Sequence, residues 1–443
     1  MRRGDLSKLE ANIDILPNPI HQNHLDMLRR QRIPGLNLGD GLLHPHYQGY
    51  SILNLPSSVC RWLGAPAIGA EPLAEQILQA LEGDYQRVIL VLMDALAYHR
   101  LDRWMQQGLT PIWNTLAGQG LFVPLTSVSP STTSSALTAL WTGRSPTEHG
   151  IMGYEMWMKE YGIVANTILH MPITFKSDLG ALGRAGFEPE KFISFKTLGT
   201  HLAEHGVKSY ALQHHSIADS GLSRMLFKDA TVKSFSTAAD LWINLRYLLE
   251  SNPNERLYAW VYWDQVDSFG HFYGPDDERT SAEFALFSQA MEQLLLDRLS
   301  PVARQKTLLI LTADHGQIAT RPDPHYDLRN HPGLMRRLHI NPTGENRFTY
   351  LHVRPGQSEA VHEYLERAWP NQFAVVDSAY AARMGLFGPG KAHSELQDRI
   401  GDYLVVAQGE AYFWWANKDN RMYGRHGGLH AEEMLVPFLA ARL

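Results

Sequence analysis

Asp267 and His271 stand four positions apart in VDSFGHFYGP, with Gly270 directly before the histidine. A carboxylate and an imidazole at that spacing can share a cation, make a helix-end hydrogen bond or form a plain surface pair. Two more acids share the context of Asp267. Asp94 ends the apolar run RVILVLMD, and Asp314 follows TLLILTA with His315 beside it. Singly, each acid reads as a helix N-cap or a turn residue. Three together, with His271 and His315 attached, read better as one site. In an open α/β sheet the carboxyl ends of parallel strands border the ligand crevice. Gly270 is expected to let the chain turn so that His271 points back at that site.

A second region, SVSPSTTSSALTALWTG, runs from Pro130 through a Ser/Thr cluster into a helical apolar pattern at Ala136, Leu137, Ala139 and Leu140. Ser131 or Ser134 suits an N-cap. A hydroxyl there also faces free backbone N–H groups and the positive end of the helix dipole, a place for a nucleophile that attacks phosphate. A threonine hydroxyl is a weak nucleophile and needs a base or a metal.

The elements that must position these groups alternate. Short, continuously apolar runs at 88–93, 208–212, 257–263 and 307–312 read as strands buried on both faces. Helical patterns lie between them, at 236–249 and 280–299. The fold class expected is α/β, a doubly wound, mostly parallel sheet. Residues 317–424 break the rhythm, with an alternating strand at 347–353 and a helix near 357–368. They read as an inserted, smaller α+β cap domain. The core then comprises 85–316 and 425–443, closing on an apolar strand at 435–440. Residues 1–84, rich in Pro, Asn, His and Gly, read as an N-terminal extension packed on the core, with a helix at 73–81.

The net charge of −6 implies no basic face for nucleic acid. The single cysteine, Cys60, excludes an internal disulfide and a cysteine-based zinc site. The start lacks an apolar stretch of about 7–15 residues, and no run approaches the ~18 of a membrane span. A cytoplasmic location without membrane contact is expected. The oligomeric state is left open.

Taken in order, the motifs resemble the alkaline phosphatase superfamily, and within it the nucleotide pyrophosphatase/phosphodiesterase branch. They are Asp94 after the first strand, Pro130 to Thr133 leading to Thr142-Gly143, His149-Gly150-Ile151, Asp267 with Gly270-His271, Asp314-His315-Gly316, and His426-Gly427. The resemblance implies two divalent metal ions, usually zinc, with manganese or iron as alternatives. Carried over by position, Asp267, His271 and His426 would hold one ion. Asp94, Thr133, Asp314 and His315 would hold the other. Thr133, favoured over Thr132 by its spacing from Pro130, would be the nucleophile, giving a phospho-threonine intermediate and net retention at phosphorus. His426 is favoured over His430 by the glycines that follow it. Asp264 reads as an orienting or capping acid, and His149 as structural.

The implied function is hydrolysis of phosphate esters, as a phosphodiesterase or nucleotide pyrophosphatase acting on a small-molecule ester or nucleotide. A phosphomonoesterase or phosphonate hydrolase on the same site is the alternative. A monoesterase needs extra positive charge, and only Arg144 stands near Thr133. A sulfatase is disfavoured by the context of Cys60, and a phosphoglycerate mutase by the threonine nucleophile. An inactive, ligand-binding member would have lost ligands, and all are present here. The chain departs from the branch at Tyr154, where an Asn usually contacts the phosphate. The Tyr154 hydroxyl is expected to bind substrate in its place. The aromatics of GYEMWMKEYG and Phe269 are candidate stacking partners for a base. Arg144, Glu345, Arg347 and Arg425 read as ion pairs before anion contacts.

Overall fold

The computed structural model describes residues 19–174 and 181–443. The expected N-terminal extension therefore falls partly, at 1–18, outside the described residues. Seven strands form the main sheet, in the order Leu121–Thr126, Leu435–Arg442, Thr307–Thr312, Arg87–Met93, Leu257–Trp263, Lys208–His214 and Ala230–Phe235. Only Leu435–Arg442 runs against its neighbours; the other pairings are parallel. The central strands Arg87–Met93 and Leu257–Trp263 are buried at every position, as their unbroken apolar runs require once helices cover both faces.

Register places the acids. Leu92 pairs with Thr312 and Met93 with Trp263. The next residues out, Asp94, Asp264 and Asp314, thus leave the sheet at one level and at the carboxyl end of parallel strands.

The second seven-stranded sheet is antiparallel throughout. It contains Thr343–Glu345, Phe348–Leu351, Phe373–Asp377 and Tyr403–Ala407, together with Glu155–Met158, Ile163–Asn166 and Met171–Pro172. The segment 155–172, assigned by the sequence reading to the catalytic core, thus belongs to this sheet. Its aromatic run conceals a strand: along Glu155–Met158 buried residues alternate with half-buried ones. Successive residues of the second sheet serve two cores. Tyr350, Leu404 and Val406 face one, while Leu351 and Val405 face the other with Trp369 and Phe413.

Ile318–Ala319 pairs with Gly424–Arg425. The chain leaving the Asp314–His315 turn and the chain returning to His426 therefore run side by side. Within the extension, Leu28, Leu36 and Leu42 enter the core shared with the second sheet, while Ile52, Val59 and Trp62 enter the main one. No helix among the described residues is long and apolar enough to cross a membrane.

Candidate active site

Thr133 opens the helix Thr133–Thr142, with Thr132 as N-cap and no side-chain cap. The expected capping serines are used elsewhere. Ser131 Oγ donates to the Gly428 carbonyl at 2.6 Å and Ser134 Oγ to that of Gly153 at 3.2 Å. The first-turn N–H groups are thereby left for an anion. Thr132 Oγ1 donates to Glu345, which also accepts the Tyr154 N–H at 2.9 Å. Glu345 is thus a clamp under the loop that leads into Thr133, and burial pushes its carboxyl up to about 8.

Thr133 faces a buried triad. Ligand atoms of Asp94, Asp314 and His315 lie within 4.8 Å of one another. Thr133 Oγ1 is 3.1 Å from His315 Nε2. His315 Nδ1 lies 3.0 Å from the Gly316 carbonyl, which fixes its proton there and leaves the Nε2 lone pair toward the acids. Each acid uses one oxygen and leaves the other bare. Tyr262 donates to Asp94 Oδ2, while the N–H groups of Ala95 and His315 donate to Asp314 Oδ1 at 3.3 and 2.9 Å. Asp94 Oδ1 and Asp314 Oδ2 have no partner among the described residues. Ala95 takes φ 60°, an uncommon value for a residue with a Cβ, and this turn carries its N–H to Asp314. Burial, with Asp314 and Asp267 nearby, pushes the Asp94 carboxyl well above the usual range. Burial raises Asp314 too, against the pull of His315.

The second triad, Asp267, His271 and His426, also has its ligand atoms within 4.8 Å. Asp267 and His271 share one face of the helix Gln265–Tyr273. Gly270 is helical and makes no turn, contrary to expectation. The position excludes a side chain, because a Cβ there would lie 1.8 Å from Gln317 Oε1. Gln317 in turn donates to Asp267 Oδ1 at 2.9 Å. His271 Nδ1 lies 2.8 Å from the Gly424 carbonyl, so Nε2 faces Asp267 Oδ1 at 3.2 Å. His426 Nε2 stands 3.7 Å from the same oxygen, and its ring stacks on His315 at 3.9 Å. Burial opposes charge on Asp267, but His271 and His426 hold it below the usual carboxylate range. Burial and His315 push His426 well below the usual imidazole range.

Two triads of carboxylate and imidazole, joined by the stacked rings of His315 and His426 and with two bare buried oxygens in the first, fit a pair of divalent cations. Thiolate takes no part, since Cys60 is buried elsewhere in the main core. All the expected ligands converge. His430 instead caps the helix Ala431–Met434, and Asp264 stands at the rim as N-cap of the Asp267 helix. Tyr154 is 40% exposed, with its hydroxyl toward Asn166. It reaches the Thr132–Thr133 loop through its backbone and Glu345. Arg347 is an ion-pair partner, bound to Glu433 through two contacts of 2.9 Å. Arg425 stacks on Tyr412 and donates to Thr320 and Asn420.

Gln317, Tyr262 and Glu345 hold Asp267, Asp94 and the Thr132–Thr133 loop, and sequence reasoning missed these contacts. Gln317 follows Asp314-His315-Gly316 and Tyr262 is next to last in its strand, two residues before Asp264, so position alone was a usable signal for both. Glu345 arrives from the other sheet and had no such signal.

A family model described as type I phosphodiesterase / nucleotide pyrophosphatase matches residues 88–429. Curated relatives include bis(5'-adenosyl)-triphosphatase enpp4 of Xenopus laevis, 25% identical over 196 residues, covering 43% of this chain and 40% of that protein. The human counterpart is 24% identical over 209 residues, covering 45% and 40%. The match thus spans well under half of the curated relatives' length. Among solved structures, murine ectonucleotide pyrophosphatase / phosphodiesterase 5 superposes with a TM-score of 0.57 at 18% identity, covering 80% of this chain and 87% of that one. Phosphonoacetate hydrolase from Sinorhizobium meliloti 1021, solved with phosphonoformate, gives 0.58 at 18% identity, covering 80% and 89%. These likenesses show a shared fold. With the family match running from the first central strand to the glycines after His426, the chain belongs to the type I phosphodiesterase / nucleotide pyrophosphatase family of the alkaline phosphatase superfamily.

Proposed function

We propose that the chain hydrolyses phosphate esters as a phosphodiesterase or nucleotide pyrophosphatase, with Thr133 as nucleophile and two divalent ions, zinc best matching the donors. The observation that carries this is the convergence on His315 Nε2 of Thr133 Oγ1 at 3.1 Å and of the bare oxygens of Asp94 and Asp314 at 3.5 and 3.3 Å. Bound divalent ions would lower the hydroxyl's pKa and stabilise charge on the phosphoryl and leaving oxygens.

The chain's own groups do the rest. Ser131 and Glu345 hold the nucleophile loop against the His426 loop and the second sheet. The open N–H groups of the Thr133 helix receive phosphoryl oxygens. The Gly316 and Gly424 carbonyls fix the tautomers of His315 and His271, so each presents a lone pair. Tyr154 is assigned to the outer edge of the substrate. Attack by Thr133 gives a phospho-threonine, and its hydrolysis gives net retention at phosphorus.

The test is metal analysis of the pure protein with hydrolysis of bis-p-nitrophenyl phosphate and p-nitrophenyl phosphate. About two metal equivalents per chain, a faster diester and loss of turnover in Thr133→Ala are expected. Fewer than one equivalent, or unchanged activity in Thr133→Ala, rejects the assignment.

A further inference from the structure

A partly enclosed cavity of about 180 Å³ opens beside Thr133 and Asp267. Its walls away from the ligands are apolar, formed by Leu137, Ile168, Leu222, Leu226 and Phe227. Of the polar side chains on that wall, Ser220 donates to Ser223 and Ser223 to the Ile217 carbonyl, whereas Gln213 has no such bond. Gln213, at the carboxyl end of the strand Lys208–His214, is 2% exposed. Its carboxamide has no hydrogen-bond partner among the described residues. Its polar atoms are not sealed from the cavity, so their hydrogen-bonding capacity is open to what occupies it. That cavity is continuous with the reacting centre, at the strand end where an α/β sheet binds ligand.

We propose that this cavity is the specificity pocket for one substituent on phosphorus, that it takes a compact, largely apolar group the size of a single six-membered ring, and that Gln213 hydrogen-bonds a polar atom at its tip. The proposal rests on the phosphoester-hydrolase reading of Thr133. Size carries the first half. A cavity of about 150 Å³ accommodates benzene, whereas drug-sized ligands occupy about 300–1,000 Å³. A ribose with its base exceeds the space, so a nucleotide would leave most of its nucleoside outside. Chemistry carries the second half, because an amide both donates and accepts.

The test measures binding, by calorimetry, of methylphosphonate, phenylphosphonate, 4-hydroxyphenylphosphonate and AMP to metal-loaded Thr133→Ala protein. Phenylphosphonate is expected to bind at least roughly tenfold tighter than methylphosphonate, because the ring leaves water. The 4-hydroxyl is expected to add roughly three- to tenfold. Gln213→Leu should erase the hydroxyl preference and keep the ring preference. Leu222→Phe, which fills the cavity, should erase the ring preference. Equal binding of methyl- and phenylphosphonate overturns the proposal, as does no binding of any phosphonate. So does a hydroxyl preference untouched by Gln213→Leu, or AMP binding as tightly as 4-hydroxyphenylphosphonate both with and without Leu222→Phe. These ratios do not depend on turnover. Retained hydrolysis in Thr133→Ala sinks the nucleophile assignment separately.

Discussion

The two sheets treat polar groups in opposite ways. At the carboxyl end of the parallel sheet, Asp94 and Asp314 keep bare oxygens in a buried setting. The antiparallel sheet instead pairs its buried charge: Arg347, in the turn between Thr343–Glu345 and Phe348–Leu351, reaches the short helix that leads into Leu435–Arg442. Arg347 and Glu433, both fully buried, bind each other, and Glu433 also accepts the N–H groups of Gly428 and His430 at 2.8 and 3.2 Å. That network fixes the loop carrying His426. One sheet holds groups in an unsatisfied state that a ligand can relieve. The other supplies the rigidity that keeps them unsatisfied. Activity and stability should therefore respond to different substitutions.

The sharpest break is Asp314→Asn. It removes a buried carboxylate from the Thr133 triad and also relieves like-charge crowding with Asp94. Turnover of bis-p-nitrophenyl phosphate is expected to fall by roughly 10³-fold or more, at least ~4 kcal/mol of barrier, with one metal equivalent lost. The metal-free protein should melt no lower than wild type. A large loss of melting temperature would mean that the site is also a structural brace.

Arg347→Met is the converse test. It leaves Glu433 buried without its partner, which costs about 3–5 kcal/mol. Chemical denaturation should show that loss, while turnover per folded molecule stays within a few-fold. If activity collapses with no loss of stability, Arg347 belongs to the chemistry.

Gly270→Ala reaches between the two regions. Its new methyl displaces Gln317 and, through it, Asp267. Affinity at the Asp267–His271–His426 triad should drop about 10–100-fold, the usual cost of disturbing a ligand's supporting partner. The Asp94 triad should keep its ion in a competitive chelator titration. Equal loss at both triads would show that they act as one unit.

The parallel half was legible in the sequence, and the antiparallel half largely was not. Apolar runs of six or seven residues that end in acids and alternate with helical patterns read as doubly covered strands with their carboxyl ends at a crevice, so Asp94, Asp314 and His315 could be placed from pattern. His426 and the choice of Thr133 needed the order of motifs as well, because no local periodicity marks them. The strand Glu155–Met158 was hidden because its alternation spans only four residues. Glu345 could not be found because its partners, Thr132 and Tyr154, lie far away in sequence and meet it only when that strand joins Thr343–Glu345. Gly270 was recognised as necessary but for the wrong reason. A glycine required by a neighbour's approach looks the same in sequence as one required by a turn.

The smallest expected effect concerns how the brace depends on neutrality. Burial lowers His352 and His393, in and beside the antiparallel sheet, to about 4. It lowers His149, packed near His393, to about 3. Their unfolded pKa is near 6.5. A group whose folded pKa is depressed stabilises the fold above its unfolded value and loses that contribution as pH falls toward the folded one. Stability should therefore decline on acidification between pH 6.5 and 4, as the unfolded chain takes up protons that the folded chain refuses. For fully buried His149 the slope is at most about 1.4 kcal/mol per pH unit. His149→Asn keeps an acceptor for the Ile151 N–H, which His149 Nδ1 binds at 3.0 Å, and removes the titration. Its stability should fall less steeply than that of wild type over this range, with the two curves parallel above pH 7. Parallel curves below pH 6 as well would mean that His149 is protonated in the fold, and that the second sheet, like the first, tolerates buried charge.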